Sequence, residues 1–258
     1  MSTIALLVST YERPDALDAV LQSVLRQSEQ PQELLIADDG SGEPTRAVVE
    51  RFAASLPYPV IHVRHEHDGF RAGRIRNLAL ARATAEYIVQ IDGDMVLHEE
   101  FLADHRHAAR RGCYVQGTRI LADEVLTHGL LDGEPHALTP FSPGIGGLRR
   151  IYAARLPRLS GAVAQLANRF IAIKGCNIAY WHDDMARVGG YNETMTGWGS
   201  EDKELAARLE HAGVRRRTLL FGAIAYHLHH PPAVRDRHTI NEEILARTRR
   251  ERRVRWDR

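Results

Sequence analysis

The sequence predicts an α/β fold, a mostly parallel central sheet flanked by helices in a single domain. Short β-branched runs alternate with helical patterns through the first half of the chain, the rhythm of strand–helix–strand units. Polar clusters stand directly after several of these runs, where open α/β sheets bind their ligands. With 258 residues the chain is long enough to bury one full core with a small appendage.

Strands are expected at residues 4–8, 34–37, 60–63, 87–91 and 114–116, each a run of apolar and β-branched residues. Between the first two, Pro14 and Asp15 open a helix whose Ala16, Leu17, Val20, Leu21, Val24 and Leu25 form one apolar stripe. From 127 to 168 the rhythm breaks into Gly, Pro and Arg, and a substrate-side loop is expected there. Regular pattern returns at 170–173, followed by helices near 183–188 and 202–211, the latter stopped by Gly213, and a strand near 214–220. A basic helix is expected from His238. The organisation read from this is a domain over 1–232, with a nucleotide-binding half at 1–118, a second half at 119–232, and a basic tail at 233–258.

Lys and Arg number 34 against 33 Asp and Glu, so no global basic field argues for nucleic acid. No apolar run reaches membrane-spanning length and the N-terminus lacks a basic leader, so a cytoplasmic or peripheral protein is expected. Cys113 and Cys176 have neither zinc nor disulfide spacing and read as buried thiols. Locally, residues 244–258 carry seven Arg against Glu251 and Asp257, while Arg149, Arg150, Arg155 and Arg158 bracket Ile151, Tyr152, Leu156 and Leu159. Two readings stand for these stretches: a solvated charged surface, or docking on an anionic membrane or acidic glycan.

Three constellations carry chemistry. Asp92-Gly93-Asp94 ends the strand-like Val89-Gln90-Ile91, and carboxylates at a strand end can hold a hard divalent cation; the alternative is a turn capping the next helix. His227-Leu228-His229-His230 follows another strand-like run, and His227, with His230 as second choice, could complete a metal shell. Gly197-Trp198-Gly199-Ser200-Glu201-Asp202 offers close backbone approach, a flat ring for a sugar and two acids at a helix start, although such acids also serve as simple caps.

Together with Ser9-Thr10-Tyr11-Glu12-Arg13-Pro14, Asp38-Asp39-Gly40-Ser41, Arg76-Asn77 and Lys174-Gly175-Cys176-Asn177, these motifs occur in the order of glycosyltransferase family 2, which the chain resembles. The part from Lys174 to His230 also resembles the galactosyltransferase-type segment of β-1,4-galactosyltransferases and bacterial chondroitin polymerases. The resemblance implies a Rossmann-like GT-A fold, an inverting glycosyltransferase, a UDP-sugar donor, a glycan or lipid-linked acceptor and Mn²⁺ or Mg²⁺. It places Ser9, Thr10, Tyr11, Arg13, Asp38, Asp39, Arg71, Arg76, Asp92 and Gly93 on the nucleotide side. Asp94 and His227 would bind the metal, with Asp92 touching the ribose or a metal-bound water. Asn177, Trp198, Gly199 and Glu201 would shape the sugar or acceptor site, and Asp202 would be the base. Lys203 departs from the galactosyltransferases, which tend to carry an acid there, so their acceptor preference does not carry over. A nucleotidyltransferase and a non-catalytic glycan binder are the alternatives; the first lacks a Gly-rich phosphate loop, and the second has no need of Asp92, Asp94, Asp202 and His227 together.

Overall fold

Ile4, Leu6 and Val8 alternate with Ala5 and Leu7 along β1 (Ile4–Thr10), and every one of them is buried, so this strand lies at the centre of a sheet covered on both faces. The computed structural model describes residues 2–133, 138–231 and 237–256. In chain order, β1 leads through α1 (Pro14–Leu25) to β2 (Glu33–Asp38), α2 (Glu43–Ser55), β3 (Val60–Arg64), α3 (Ala72–Leu80) and β4 (Tyr87–Asp92). A short β5 (Met95–Leu97), α4 (Phe101–Ala108), β6 (Cys113–Gln116), β7 (Thr118–Leu121) and α5 (Glu124–Leu131) follow. After a 3-10 turn, Leu148–Ala153, come α6 (Pro157–Phe170), β8 (Asn177–Trp181), α7 (His182–Val188) and α8 (Glu201–His211). The chain then forms β9 (Arg215–Thr218), β10 (Ile224–His227) and α9 (His238–Arg250).

The main sheet runs β3-β2-β1-β4-β8-β6-β9, parallel except for β8, and a small sheet runs β5-β10-β7. One core layer joins Leu6, Val8 and Val89 to Leu17, Leu21 and Phe52 of α1 and α2; the other joins Ala5, Leu7 and Ile88 to Ile75, Met185, Leu205 and Leu209 of α3, α7 and α8. Mostly parallel strands with helices on both faces confirm the expected α/β class. Both cysteines are free and buried.

The stretch 127–168 is not the irregular loop expected. It contains the end of α5, the 3-10 turn and most of α6. α6 escapes a periodicity reading because its sheet-facing residues are small, Ser160, Ala164 and Ala167, while Leu159, Leu166 and Phe170 are exposed. The expected regular segment at 170–173 is likewise displaced: Phe170 closes α6, and the strand is β8. Arg155 is engaged in a fork with Asp104 of α4, at 2.8 Å from Nη2 to Oδ1.

The basic C-terminal segment folds back onto the domain. Leu245 of α9 is buried, Thr248 donates to Glu204 at 2.9 Å, and Trp256 Nε1 donates to the Gly189 carbonyl at 2.7 Å. Glu204 is held in turn by Arg208, fully buried and forked onto it at 2.7–2.9 Å. Removing one partner of such a buried pair costs about 3–5 kcal/mol; the pair lies within α8, and it is Thr248 bonding to Glu204 that joins α9 to it. Residues 134–137, 232–236, Asp257, Arg258 and the Arg149 side chain lie outside the described residues.

Candidate active site

Parallel register sets the ends of β1, β2 and β4 side by side: Thr10 pairs with Asp38 and Ser9 with Asp92. A cleft of about 360 Å³ opens over these ends. It gathers Ser9, Thr10, Tyr11, Arg13, Asp39, Arg76, Asp92, Gly93, Asp94, Trp198, Glu201 and His227 from the expected set. At Gly93 the turn runs against β1, its N–H donating to the Ser9 carbonyl at 2.6 Å, and a Cβ there would meet that oxygen at 2.8 Å. Only glycine lets the two carboxylates of Asp92-Gly93-Asp94 sit this close to the first strand.

The small sheet brings the distant histidines to Asp94. β10 runs antiparallel to β5 with His227 opposite Met95, and Leu228 N–H donates to the Asp94 carbonyl at 3.0 Å. His227 Nε2 lies 3.6 Å and His230 Nε2 3.2 Å from Asp94 Oδ2. One ligand atom from each of the three residues falls within 4.8 Å of the others. Asp94 Oδ1 is buried without a hydrogen-bond partner, a costly state for a carboxylate oxygen that a cation would relieve. One oxygen and two imidazole nitrogens suit Mn²⁺ or a similar divalent ion, so the residues fit a metal. Burial works against the charge of Asp94, yet the hydrogen bond from His230 and the two nearby imidazoles hold its carboxyl below the ordinary range. Burial lowers the pKa of His227, while its bond to Asp94 raises that of His230.

Arg76 ties the floor together. Its Nε donates to Ser9 Oγ at 3.0 Å, Nη2 to Asp92 at 2.9 Å and Nη1 to Glu201 at 3.3 Å. Burial opposes its charge, but Tyr191, Asp92 and Glu201 outweigh that and raise its pKa. Burial pushes Asp92 up to about 6 even with Arg76 beside it, aided by Asp94 and Glu201.

Asp202 stands at the start of α8, where its Oδ2 accepts from Gly175 N–H at 2.8 Å and its Oδ1 from Lys203 N–H at 2.7 Å. Two backbone donors and a helix N-terminus favour the ionised form. Burial and the neighbouring Glu201 nevertheless win, raising Asp202 to about 6. A carboxylate poised there is deprotonated at neutral pH yet basic enough to accept a proton.

The family 2 glycosyl transferase model matches residues 5–155, and a model described as the N-terminal domain of galactosyltransferase matches 161–231. The chain belongs to glycosyl transferase family 2. It is 28% identical over 231 residues to validoxylamine A glucosyltransferase of Streptomyces hygroscopicus subsp. limoneus, covering 82% of this chain and 48% of that protein. With chondroitin synthase of Pasteurella multocida it shares 25% identity over 244 residues, 88% of this chain and 25% of the relative. The chain thus spans less than half the length of these two relatives. Among solved structures, residues 1–349 of TarS from S. aureus in complex with UDP-GlcNAc superpose with a TM-score of 0.61 at 17% identity, over 89% of this chain and 59% of that one. Mannosyltransferase PcManGT from Pyrobaculum calidifontis, in complex with GDP-Man and Mn²⁺, gives 0.59 at 18%, over 88% and 57%. These likenesses establish the GT-A fold.

Several expected residues lie outside the cleft lining, Asp202 among them. Asn177 is buried, its Nδ2 donating to the Thr118 and Ala223 carbonyls at 3.0 and 2.8 Å and its Oδ1 3.0 Å from His105 Nε2; it secures β8 to both sheets instead of meeting a sugar. Asp38 is fully buried, accepting from Ser41 N–H at 2.7 Å with His62 Nε2 at 2.9 Å. Arg71 reaches the cleft only indirectly, its backbone N–H donating to Asp39 at 2.9 Å. Gly199, at φ 118°, packs against His238, and a Cβ would meet that ring at 3.1 Å.

Other residues became visible only in space. His67 stacks on Tyr11 at 4.4 Å between centroids, His65 Nε2 lies 2.5 Å from Asp39, and Phe70 and Arg119 line the cleft, as does His230, the second choice for a metal ligand. Gln90 receives the hydroxyls of Tyr180 and Tyr191 at 2.7 and 3.0 Å and donates to the Gly175 carbonyl at 3.2 Å, linking β4 to the residue that holds Asp202. α9 also reaches the site: Glu242 bonds Ser200 and lies 3.3 Å from Lys203, while His238 stacks on Trp198 at 6.2 Å. Ser200 has φ 70°, a left-handed conformation uncommon for a side-chain-bearing residue, and these contacts hold it there.

Proposed function

We propose that this enzyme moves one sugar from a UDP-sugar to a hydroxyl of a glycan or glycolipid, with inversion, forming a β-glycosidic bond in polysaccharide or lipopolysaccharide-type synthesis. The observation that carries the reading is the partnerless Asp94 oxygen beside His227 and His230, opening on the same cleft as Asp92 and Glu201. Asp94, His227 and His230 would hold Mn²⁺ or Mg²⁺, which when bound supplies positive charge to the departing diphosphate. Residues 1–118 would supply the donor side: the Tyr11–His67 stack and Asp39 the base and ribose, with Ser9 and Arg76 beneath. Residues 119–232 would supply the acceptor side, with Trp198 and Glu201 against a sugar and Asp202 accepting the proton of the attacking hydroxyl. One in-line displacement inverts the anomeric centre, and for that stereochemistry the support is family resemblance.

No helix among the described residues is long and apolar enough to cross a membrane. Membrane contact by the Arg-rich tail has weaker support than the sequence suggested. Leu245 is buried, and Arg247, Arg250 and Arg253 converge on Glu251 at 3.1, 3.5 and 2.7 Å.

Nucleotide-sugars should be screened for hydrolysis and for thermal stabilisation, with Mn²⁺ and with EDTA. A ligand at a hundredfold excess over Kd raises stability by about 2.7 kcal/mol, roughly 5–10 °C at this size. UDP should give this shift only with metal present. Equal stabilisation and turnover in EDTA would overturn the metal-dependent reading.

A further inference from the structure

A second and larger groove, about 1030 Å³, runs along the outer edge of the main sheet between α6 and β9. Its lining includes Arg110, Arg169, Arg215, Arg216 and Arg217, with Glu210 the acid among them. Glu210 is already engaged, accepting from the Tyr114 hydroxyl at 2.8 Å. None of the five arginines has a carboxylate within 4.0 Å among the described residues.

They are nonetheless ordered. Arg216 donates to the carbonyls of Asn168 and Ile171, both at 2.6 Å, and Arg217 donates to the Ala108 carbonyl at 2.7 Å. Carbonyl oxygens fix the planes of these guanidiniums without cancelling their charge. Burial, then the charge of Arg110, makes Arg217 give up its proton more readily than usual, a sign that positive charges here crowd one another. β9 is an edge strand reading Arg-Arg-Arg-Thr, a composition that guards the edge against pairing and also sets out a row of guanidinium forks that matches carboxylate, sulfate or phosphate oxygens.

One end of the groove, at Ile173, comes near the catalytic side. Ile173 lies two residues before Gly175, whose N–H holds Asp202, a reach of roughly 7 Å of extended chain. Glu210 and Asp202 stand on the same helix, α8. Amide side chains of Gln165 and Asn168 add hydrogen-bonding capacity to the wall. A concave, polar, cationic groove suits a chain-like ligand better than a flat lipid surface. We propose that this groove binds the acidic stretch of an anionic oligosaccharide acceptor, behind the sugar that presents its hydroxyl to Asp202. The acceptor role rests on the transferase reading above; the binding of an acidic glycan does not.

Arg169 and Arg215 are exposed, so the double variant Arg169→Ala/Arg215→Ala should fold, which circular dichroism and melting temperature verify. Binding to the full chain is titrated with a labelled hyaluronan decasaccharide, with neutral maltodecaose, and with vesicles of phosphatidylglycerol and phosphatidylcholine in equal parts. The acidic oligosaccharide should bind about tenfold or more tighter than the neutral one, weaken with added salt, and lose that advantage in the double variant. Arg169→Lys/Arg215→Lys should recover part of it, since charge remains but the fork does not. UDP stabilisation with Mn²⁺ should be the same in all three proteins. Equal binding of acidic and neutral chains, binding unaffected by the double substitution, or arginine-dependent binding of vesicles alone would each overturn the proposal. Should UDP fail to bind the unaltered chain while the acidic oligosaccharide still depends on Arg169 and Arg215, the donor-site reading falls and the groove stands.

Discussion

Asp94 and Asp202 are both partly buried carboxylates at element ends, and their surroundings push them in opposite directions. Asp94 faces two imidazoles that hold its charge in place, whereas Asp202 faces burial and Glu201, which raise it to about 6. Both accept hydrogen bonds, so hydrogen bonding does not separate them; the sign of the nearest charged group does. The contrast divides labour between a carboxylate suited to stay ionised beside a cation and one suited to take up a proton.

The largest test of that division is Asp202→Asn. General-base catalysis is worth about 10²–10⁴-fold, so kcat should fall by that factor while UDP and Mn²⁺ binding stay near wild type. Near wild-type turnover in Asp202→Asn together with a dead Glu201→Gln would reverse the two acids. His230→Ala removes a candidate ligand and the hydrogen-bond partner of Asp94, and about a 10–100-fold loss of Mn²⁺ affinity is expected by calorimetry, with kcat at saturating metal less affected. No change would leave His227 and Asp94 as the shell.

A pH profile sharpens the same contrast. With the base at about 6, it is protonated and inactive at lower pH, so kcat should drop about tenfold per unit below that value and level off above it. A flat profile between pH 5 and 7 would remove Asp202 from the role. The smallest effect is expected from Glu242→Gln on α9, which leaves Ser200 and Lys203 without their carboxylate. A few-fold rise in KM for acceptor, with donor KM unchanged, would mark Glu242 as a positioning residue. Equal changes for both substrates would make it merely structural.

The parts of the enzyme legible in sequence are those where local pattern and chemistry coincide. Asp92 and Asp94 stand out because a buried strand ends at them, and His227 because Ala223-Ile224-Ala225-Tyr226 announces the strand it closes. α6 was illegible because the residues that face the sheet, Ser160, Ala164 and Ala167, are small and one of them is polar, so they make no apolar stripe. Asn177 sat in a suggestive motif, but its amide bridges Thr118 and Ala223, partners remote in sequence. His65, His67 and Gln90 carry no local signal, since their meaning arises from Asp39, Tyr11 and the Gly175 carbonyl lying across the fold.

The pairing of β10 with β5 has a consequence for how such an enzyme can diversify. Met95 opposite His227 closes a clasp at the two ends of everything between Leu97 and Ile224. Chain can be lengthened, shortened or reshaped at α6 and the arginine-lined edge, both inside that excursion, while β5, β10 and β7 keep the register that brings His227 to Asp94. The approach of His227 to Asp94 is thereby set by strand register and stands apart from the helix and edge that vary around it.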